Sequence, residues 1–143
     1  MKLSKTSAHA AIALAYLANR IGEGPVQARQ IAGFLGIPTD SALKILQALS
    51  RGRLIQSQLG RAGGYRFHRP PADVSLLDIV ETIDGPIAPQ MPITDPDEGV
   101  LSSIDLLQTA CQQAALGLRT ELSRYTVADL AHQQRSEPIA AAG

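Results

Sequence analysis

Arg61 stands in a run of glycines, Gly60-Arg61-Ala62-Gly63-Gly64. An arginine so placed packs against little, so its guanidinium is available to a polyanion. A narrow minor groove, where negative potential concentrates, is one such target. Upstream, Ser41, Lys44 and Gln47 recur at three-residue steps, which in a helix puts them on one side. That set suits the base-pair edges in a major groove about 12 Å wide. Lys5, Arg51, Arg53 and Arg66 suit phosphate oxygens, contacts that position a protein without reading sequence. Other chemistries are poorly served. His9, His68 and His132 are scattered, so no metal site is expected. The chain lacks a P-loop, a Gly-x-Ser-x-Gly elbow and a motif-placed carboxylate pair, and no enzyme is expected.

The charge balance supports a polyanion partner. The net charge of zero conceals two opposed halves. Residues 1–71 hold ten Lys/Arg against Glu23 and Asp40, a net of +8. Residues 72–143 hold Arg119, Arg124 and Arg135 against eleven acids, a net of −8. Such asymmetry suggests a half that binds nucleic acid joined to a half with another task.

The elements that must position these residues follow from periodicity. Ala8, Ala11, Ile12, Ala15 and Tyr16 mark a helix over 6–21, ended by Gly22-Glu23-Gly24-Pro25. A second helix spans about 27–35, and Pro38 disfavours its continuation through Ile37. Thr39 or Asp40 caps a third helix running to about Gly52, with Ala42, Leu43, Ile45, Leu46 and Leu49 inward. Leu54–Leu59 and Tyr65–His68 read as strands joined by the glycine-rich tip. Ser75 with Asp78 forms a capping box for a helix to Asp84. Residues 85–99, with four of the nine prolines, read as a loop.

A long helix over about 100–124 follows, with Ile104, Leu107, Cys111, Ala114, Leu118, Leu122 and Tyr125 in one apolar stripe. A stripe of that length exceeds what one short neighbour covers, so Ile104, Leu107, Cys111, Ala114, Leu118 and Leu122 are candidate dimerisation residues. Gly117 either permits close helix crossing there or has no role. The lone Cys111 excludes an internal disulfide, and its place on the stripe favours a buried, inert thiol over a redox switch. Thr126 with Asp129 caps one further turn or two.

The fold class expected is mostly α with a small β-hairpin: a winged helix-turn-helix plus a long C-terminal dimerisation helix. Residues 1–71 form the DNA-binding domain, 72–135 a helical dimerisation and regulatory region, and 136–143 a flexible tail. The candidate DNA-binding set is Ser4, Lys5, Thr39, Asp40, Ser41, Lys44, Gln47, Arg51, Arg61, Gly63, Gly64, Tyr65 and Arg66.

The chain resembles the Rrf2 family of bacterial transcription regulators. The resemblance rests on the start MKLSKTSAHAAIALAYLA, the run from Glu23 to Pro86, and TVADL near the end. Within that run the wing Gly60-Arg61-Ala62-Gly63-Gly64-Tyr65-Arg66, followed by Val74-Ser75-Leu76-Leu77-Asp78-Ile79, is the specific part. The resemblance implies a homodimer with crossed long helices and recognition helices in successive major grooves of a near-palindromic site. It also implies backbone contacts around Ser4 and Lys5. Many members carry three cysteines between the Gly-Pro after the fourth helix and the long helix, and these ligate an iron–sulfur cluster. Here Gly85 to Gly99 has none, so no cofactor is expected.

The expected function is that of a cytoplasmic, sequence-specific regulator, a repressor, binding double-stranded DNA as a homodimer without a membrane. No signal peptide or apolar run of about 18 residues is evident. The alternatives are a winged-helix protein-interaction module, or a regulator responsive to a thiol signal or small-molecule effector. Gln90, Met91, Asp95, Asp97 and Glu98 either line an effector pocket or form a plain connector.

Overall fold

The computed structural model describes residues 1–90 and 97–137. Helix α1 (Lys5–Ala18) opens at Ser4, whose Oγ accepts the Ser7 backbone N–H at 2.9 Å. Its inner positions are nearly all apolar: Ala10, Ala11, Ala13, Leu14, Ala15, Tyr16 and Leu17 are buried. A helix apolar on most sides belongs at the centre of a fold. Small alanines let neighbours come close. The helix stops three residues earlier than periodicity suggests: Asn19 is its C-cap, and the next amide, of Arg20, bonds the Leu17 carbonyl three residues back.

Helix α2 (Ala28–Leu35) ends at Gly36 and leads through Ile37 and Pro38 into α3 (Thr39–Arg51). The expected side-chain cap of α3 is absent. Pro38 is its N-cap, with an extended ψ of 145°, and its carbonyl accepts from Ala42 N–H at 3.1 Å. Thr39 and Asp40 are instead the first two helical residues, where the Asp40 carboxylate complements the helix dipole. At the far end a Cβ on Gly52 would meet Thr82 Cγ2 at 2.6 Å. A larger residue at 52 would thus force Thr82 to shift. The left-handed turn falls to Arg53, with φ at 59°.

Strands β1 (Ile55–Gln58) and β2 (Gly64–Phe67) pair antiparallel, Ile55 opposite Phe67 and Gln58 opposite Gly64. Val26 extends this hairpin by exchanging both backbone hydrogen bonds with Tyr65, at 2.9 and 2.8 Å. That approach depends on Gly64, since a Cβ there would lie 2.5 Å from the Val26 carbonyl oxygen. After a 3₁₀ turn at Pro71–Asp73 come α4 (Leu76–Asp84), α5 (Leu101–Ser123) and α6 (Val127–Ser136).

Both expected capping boxes form: Ser75 with Asp78 on α4, and Thr126 with Asp129 on α6. The two caps pair as a β-bridge, with Leu76 N–H on Tyr125 O and Val127 N–H on Val74 O. Helix α6 is longer than its cap alone suggests because it lies along α1. Asn19 Nδ2 donates to Ala131 O, Gln134 Nε2 to Ile12 O, and Arg135 to Asn19 Oδ1. Val74, Ile79 and Val127 therefore join the same core as Leu14, Ile31, Leu46, Leu49 and Leu54. The core does not respect the charge boundary at residue 71.

Helix α5 is the exception. None of its 23 residues is buried. It rests along α4, where Arg119 pairs with Glu81, which also accepts the Ile87 N–H. Ile104, Cys111, Leu118 and Leu122 are half-buried; Leu107 and Ala114 are exposed. No described helix is long and apolar enough to cross a membrane. Met91 and Asp95, together with residues 138–143 of the tail, lie outside the described residues.

Candidate nucleic-acid interface

Helix α3 divides cleanly. Ala42, Ile45, Leu46 and Leu49 are buried, while Thr39, Asp40, Ser41, Lys44, Gln47 and Arg51 are exposed. The buried set anchors the helix on α1 and α2, so its outer face is a rigid platform of hydroxyl, amide and cationic groups. These can meet both base edges and phosphates.

Two neighbours flank that platform. On one side the first turns of α1 bring Lys5, Thr6 and His9 against Ser41 and Lys44, around a cleft of about 450 Å³ floored by Ile45, Ala48 and Ile83. On the other, Ser57 and Tyr65 of the wing face Gln47, Ser50 and Arg51 across a shallow cleft of about 330 Å³. Beyond them the hairpin tip projects Arg61, and Leu59 beside it is 94% exposed. The structure thus gathers Lys5, Ser41, Lys44, Gln47, Arg51 and Tyr65 along one tract from the start of α1 through α3 to the wing. Arg66 is exposed on β2 opposite Gln56, whose amide oxygen, suitably oriented, accepts from its Nε at 2.9 Å.

Other members of the set hold the surface in place. Ser4 has its hydroxyl committed: it donates to Asp84 Oδ1 at 2.8 Å while capping α1. Gly63 is buried, and a Cβ there would collide with the Gln58 carbonyl oxygen, so its place is in the hairpin's packing. Gly64 serves the Val26 bridge. Two cations of the basic half are also spent on the fold. The Arg20 guanidinium lies 3.5 Å over the Tyr16 ring, and Arg69 pairs with Asp78 at 3.4 Å.

Thr6 and His9 escaped the sequence reading. His9 lies one helical turn beyond Lys5, so i, i+4 spacing was the available signal. It pointed nowhere until α3 was known to lie alongside. A larger cavity, about 570 Å³, lies between the end of α1 and the wing, lined by Leu17, Arg20, Val26, Phe67 and Arg69 among others. It shares no residue with the α1–α3 cleft.

The Rrf2 family model, described as an iron-dependent transcriptional regulator, matches residues 3–133. A protein of Mycobacterium tuberculosis named as an HTH-type transcriptional regulator is 30% identical over 140 residues, covering 98% of this chain and 87% of its own. Protein rrf2 of Nitratidesulfovibrio vulgaris is 28% identical over 130 residues, covering 91% and 87%. Among solved structures, CymR, the global cysteine regulator of B. subtilis, superposes with a TM-score of 0.74 at 23% identity, covering 93% of this chain and 98% of that one. IscR of T. potens superposes at 0.66 with 21% identity, covering 96% and 93%. Fold and matched span agree: the chain belongs to the Rrf2 family, winged-helix transcriptional regulators that bind DNA rather than catalyse a reaction.

Proposed function

We propose that the chain acts as a homodimeric repressor on a near-palindromic DNA site. The observation that carries this reading is the α3 platform flanked by the Lys5–Lys44 cleft and the wing. In that arrangement α3 enters a major groove, with Ser41, Lys44 and Gln47 towards base edges. Thr39 and Asp40 lie at its leading end. Lys5, Arg51, Arg53 and Arg66 hold phosphates, and Arg61 reaches the adjacent minor groove. Repression is the action that requires only occupancy of a site.

The second copy is called for by α5. A helix of 23 residues is about 35 Å long. It exposes Leu107, Ala110, Ala114 and Gly117 at three- and four-residue steps, a face that its own chain leaves open. A second α5 crossing there would be approached closely, since nothing lies within 4 Å of a Cβ built on Gly117. Two-fold pairing of identical recognition helices is what a near-palindromic site matches.

The family's description names iron, but the donors present do not fit an iron–sulfur cluster. Such clusters take about four ligands, mostly thiolates. The chain has one cysteine, Cys111, half-buried on α5. Among the described residues no three His, Cys, Asp or Glu side chains are grouped to hold a metal. The signal of this regulator is then a different one, and a small-molecule effector is the reading we favour.

The test is the salt dependence of binding to duplex DNA. Neutralising about six phosphates gives a slope of log K against log[salt] near −5. Affinity that barely changes from low to moderate salt would instead favour a protein-interaction module.

A further inference from the structure

We infer that the cleft between α1 and α3 is a phosphodiester site in which His9 acts as a cation, so that DNA binding takes up a proton near neutral pH. The inference rests on the DNA-binding reading and concerns how that binding is regulated.

The cleft joins Lys5 and His9 from one face of α1 to Ser41 and Lys44 from α3. Its floor is apolar, formed by Ile45, Ala48 and Ile83, with Ile37 and Pro38 from the turn before α3. Two lysines and a histidine therefore line one concave surface that has no carboxylate residue in its lining. Acids stand nearby but are otherwise placed. Asp84, at the end of α4, has its two oxygens taken by the hydroxyls of Ser4 and Ser7 at 2.8 and 2.7 Å. Asp40, on the first turn of α3, is exposed and outside the lining.

The charge that completes such a site is an anion, and the α3 platform beside it is shaped for a duplex. A backbone phosphate seated there accepts from Lys5, on the α1 side of the cleft, while Ser41 and Lys44 keep to the base edges. It also favours the protonated form of an adjacent imidazole. Imidazole is the side chain whose charge changes between about pH 5 and 8, so proton uptake falls in the physiological range. A phosphate contact carries no sequence information. Acidification thus strengthens binding to all sites alike, leaving the preference set by Ser41, Lys44 and Gln47 unchanged.

The experiment titrates a fluorescently labelled mixed-sequence duplex with the full chain at constant ionic strength, between about pH 8 and pH 6. Wild type is expected to bind about three- to tenfold tighter at the lower pH. His9→Gln should be nearly flat across the range. His9→Lys, charged throughout, should bind tightly at both. A wild type that binds DNA with no pH dependence overturns this inference and spares the DNA-binding reading. So does a His9→Gln variant that keeps the wild-type dependence, because His68 and His132 would then account for it. Absence of duplex binding at every pH overturns the DNA-binding reading itself.

Discussion

Ser7, 1% exposed near the start of α1, donates its hydroxyl to Asp84 at the end of α4 across 2.7 Å. The pairing resolves two local problems. A carboxylate at a helix C-terminus is disfavoured by that helix's dipole, and a buried hydroxyl needs a partner. The N-terminus of α1 offers Asp84 the opposite end of a dipole and two hydroxyls, Ser4 supplying the other. The junction holds α1 with Lys5 facing α3.

Asp84→Ala should therefore destabilise the fold by about 1–3 kcal/mol, since it strands the buried Ser7 hydroxyl. Ser7→Ala should cost less, roughly 0.5–1.5 kcal/mol, because Asp84 keeps Ser4 and contact with water. Urea unfolding of both variants checks the order. An Asp84→Ala protein no weaker than Ser7→Ala would show that the carboxylate is not what holds the junction.

Lys44 and Arg61 should fail differently. Lys44, on the α3 platform, is expected to cost about 1–3 kcal/mol as alanine and to shift which site is preferred. Arg61, at the hairpin tip, is expected to weaken binding mainly through the wing. Selection of bound duplexes from a random pool reads both effects. Identical site preference in Lys44→Ala would remove that residue from the base readers.

What was legible in the chain was local. The boxes Ser75/Asp78 and Thr126/Asp129 depend on groups three residues apart, and both formed. The buried face of α3 and the wing strands were legible for the same reason, as short-period patterns. The Ser7–Asp84 pair, the α1–α3 cleft and the seating of α6 on α1 join residues far apart in sequence, and no spacing rule encodes them. The apolar stripe on α5 is an intermediate case. Periodicity showed its extent but not its division: Ile104, Cys111, Leu118 and Leu122 are half-buried, whereas Leu107 and Ala114 are exposed.

That division makes α5 testable without damaging the monomer. Leu107→Glu and Ala114→Glu place charge on positions that are already exposed, so the chain should keep its fold. In a dimer the same charge is buried without a partner, which is strongly unfavourable. Sedimentation should show the wild type at twice the monomer mass and both variants shifted to monomer, with DNA affinity reduced at least about tenfold. Gln112→Glu is the control, because it lies two residues from Ala114 and so on the opposite side of the helix. If Gln112→Glu dissociates the dimer while Ala114→Glu does not, the seam lies on the other face.

The cap of α6 carries a pH signature. The Thr126 backbone N–H and hydroxyl donate to Asp129 Oδ2 at 2.8 and 3.0 Å, and these bonds hold its carboxyl below the ordinary value of 3.8, the backbone bond foremost and His132 adding little. A carboxylate whose folded value is depressed contributes stability that is present above the unfolded value and is lost as pH falls through the folded one. Asp129→Asn should thus be less stable than wild type at pH near 6, and the gap should close as pH drops below 3.8. Other carboxylates titrate in the same range, but they do so in both proteins, and the difference between the two unfolding curves isolates this one. A gap that stays constant with pH would show that the carboxylate's charge is not what the cap relies on, and no gap at any pH would assign the stabilisation to the side-chain shape that asparagine shares.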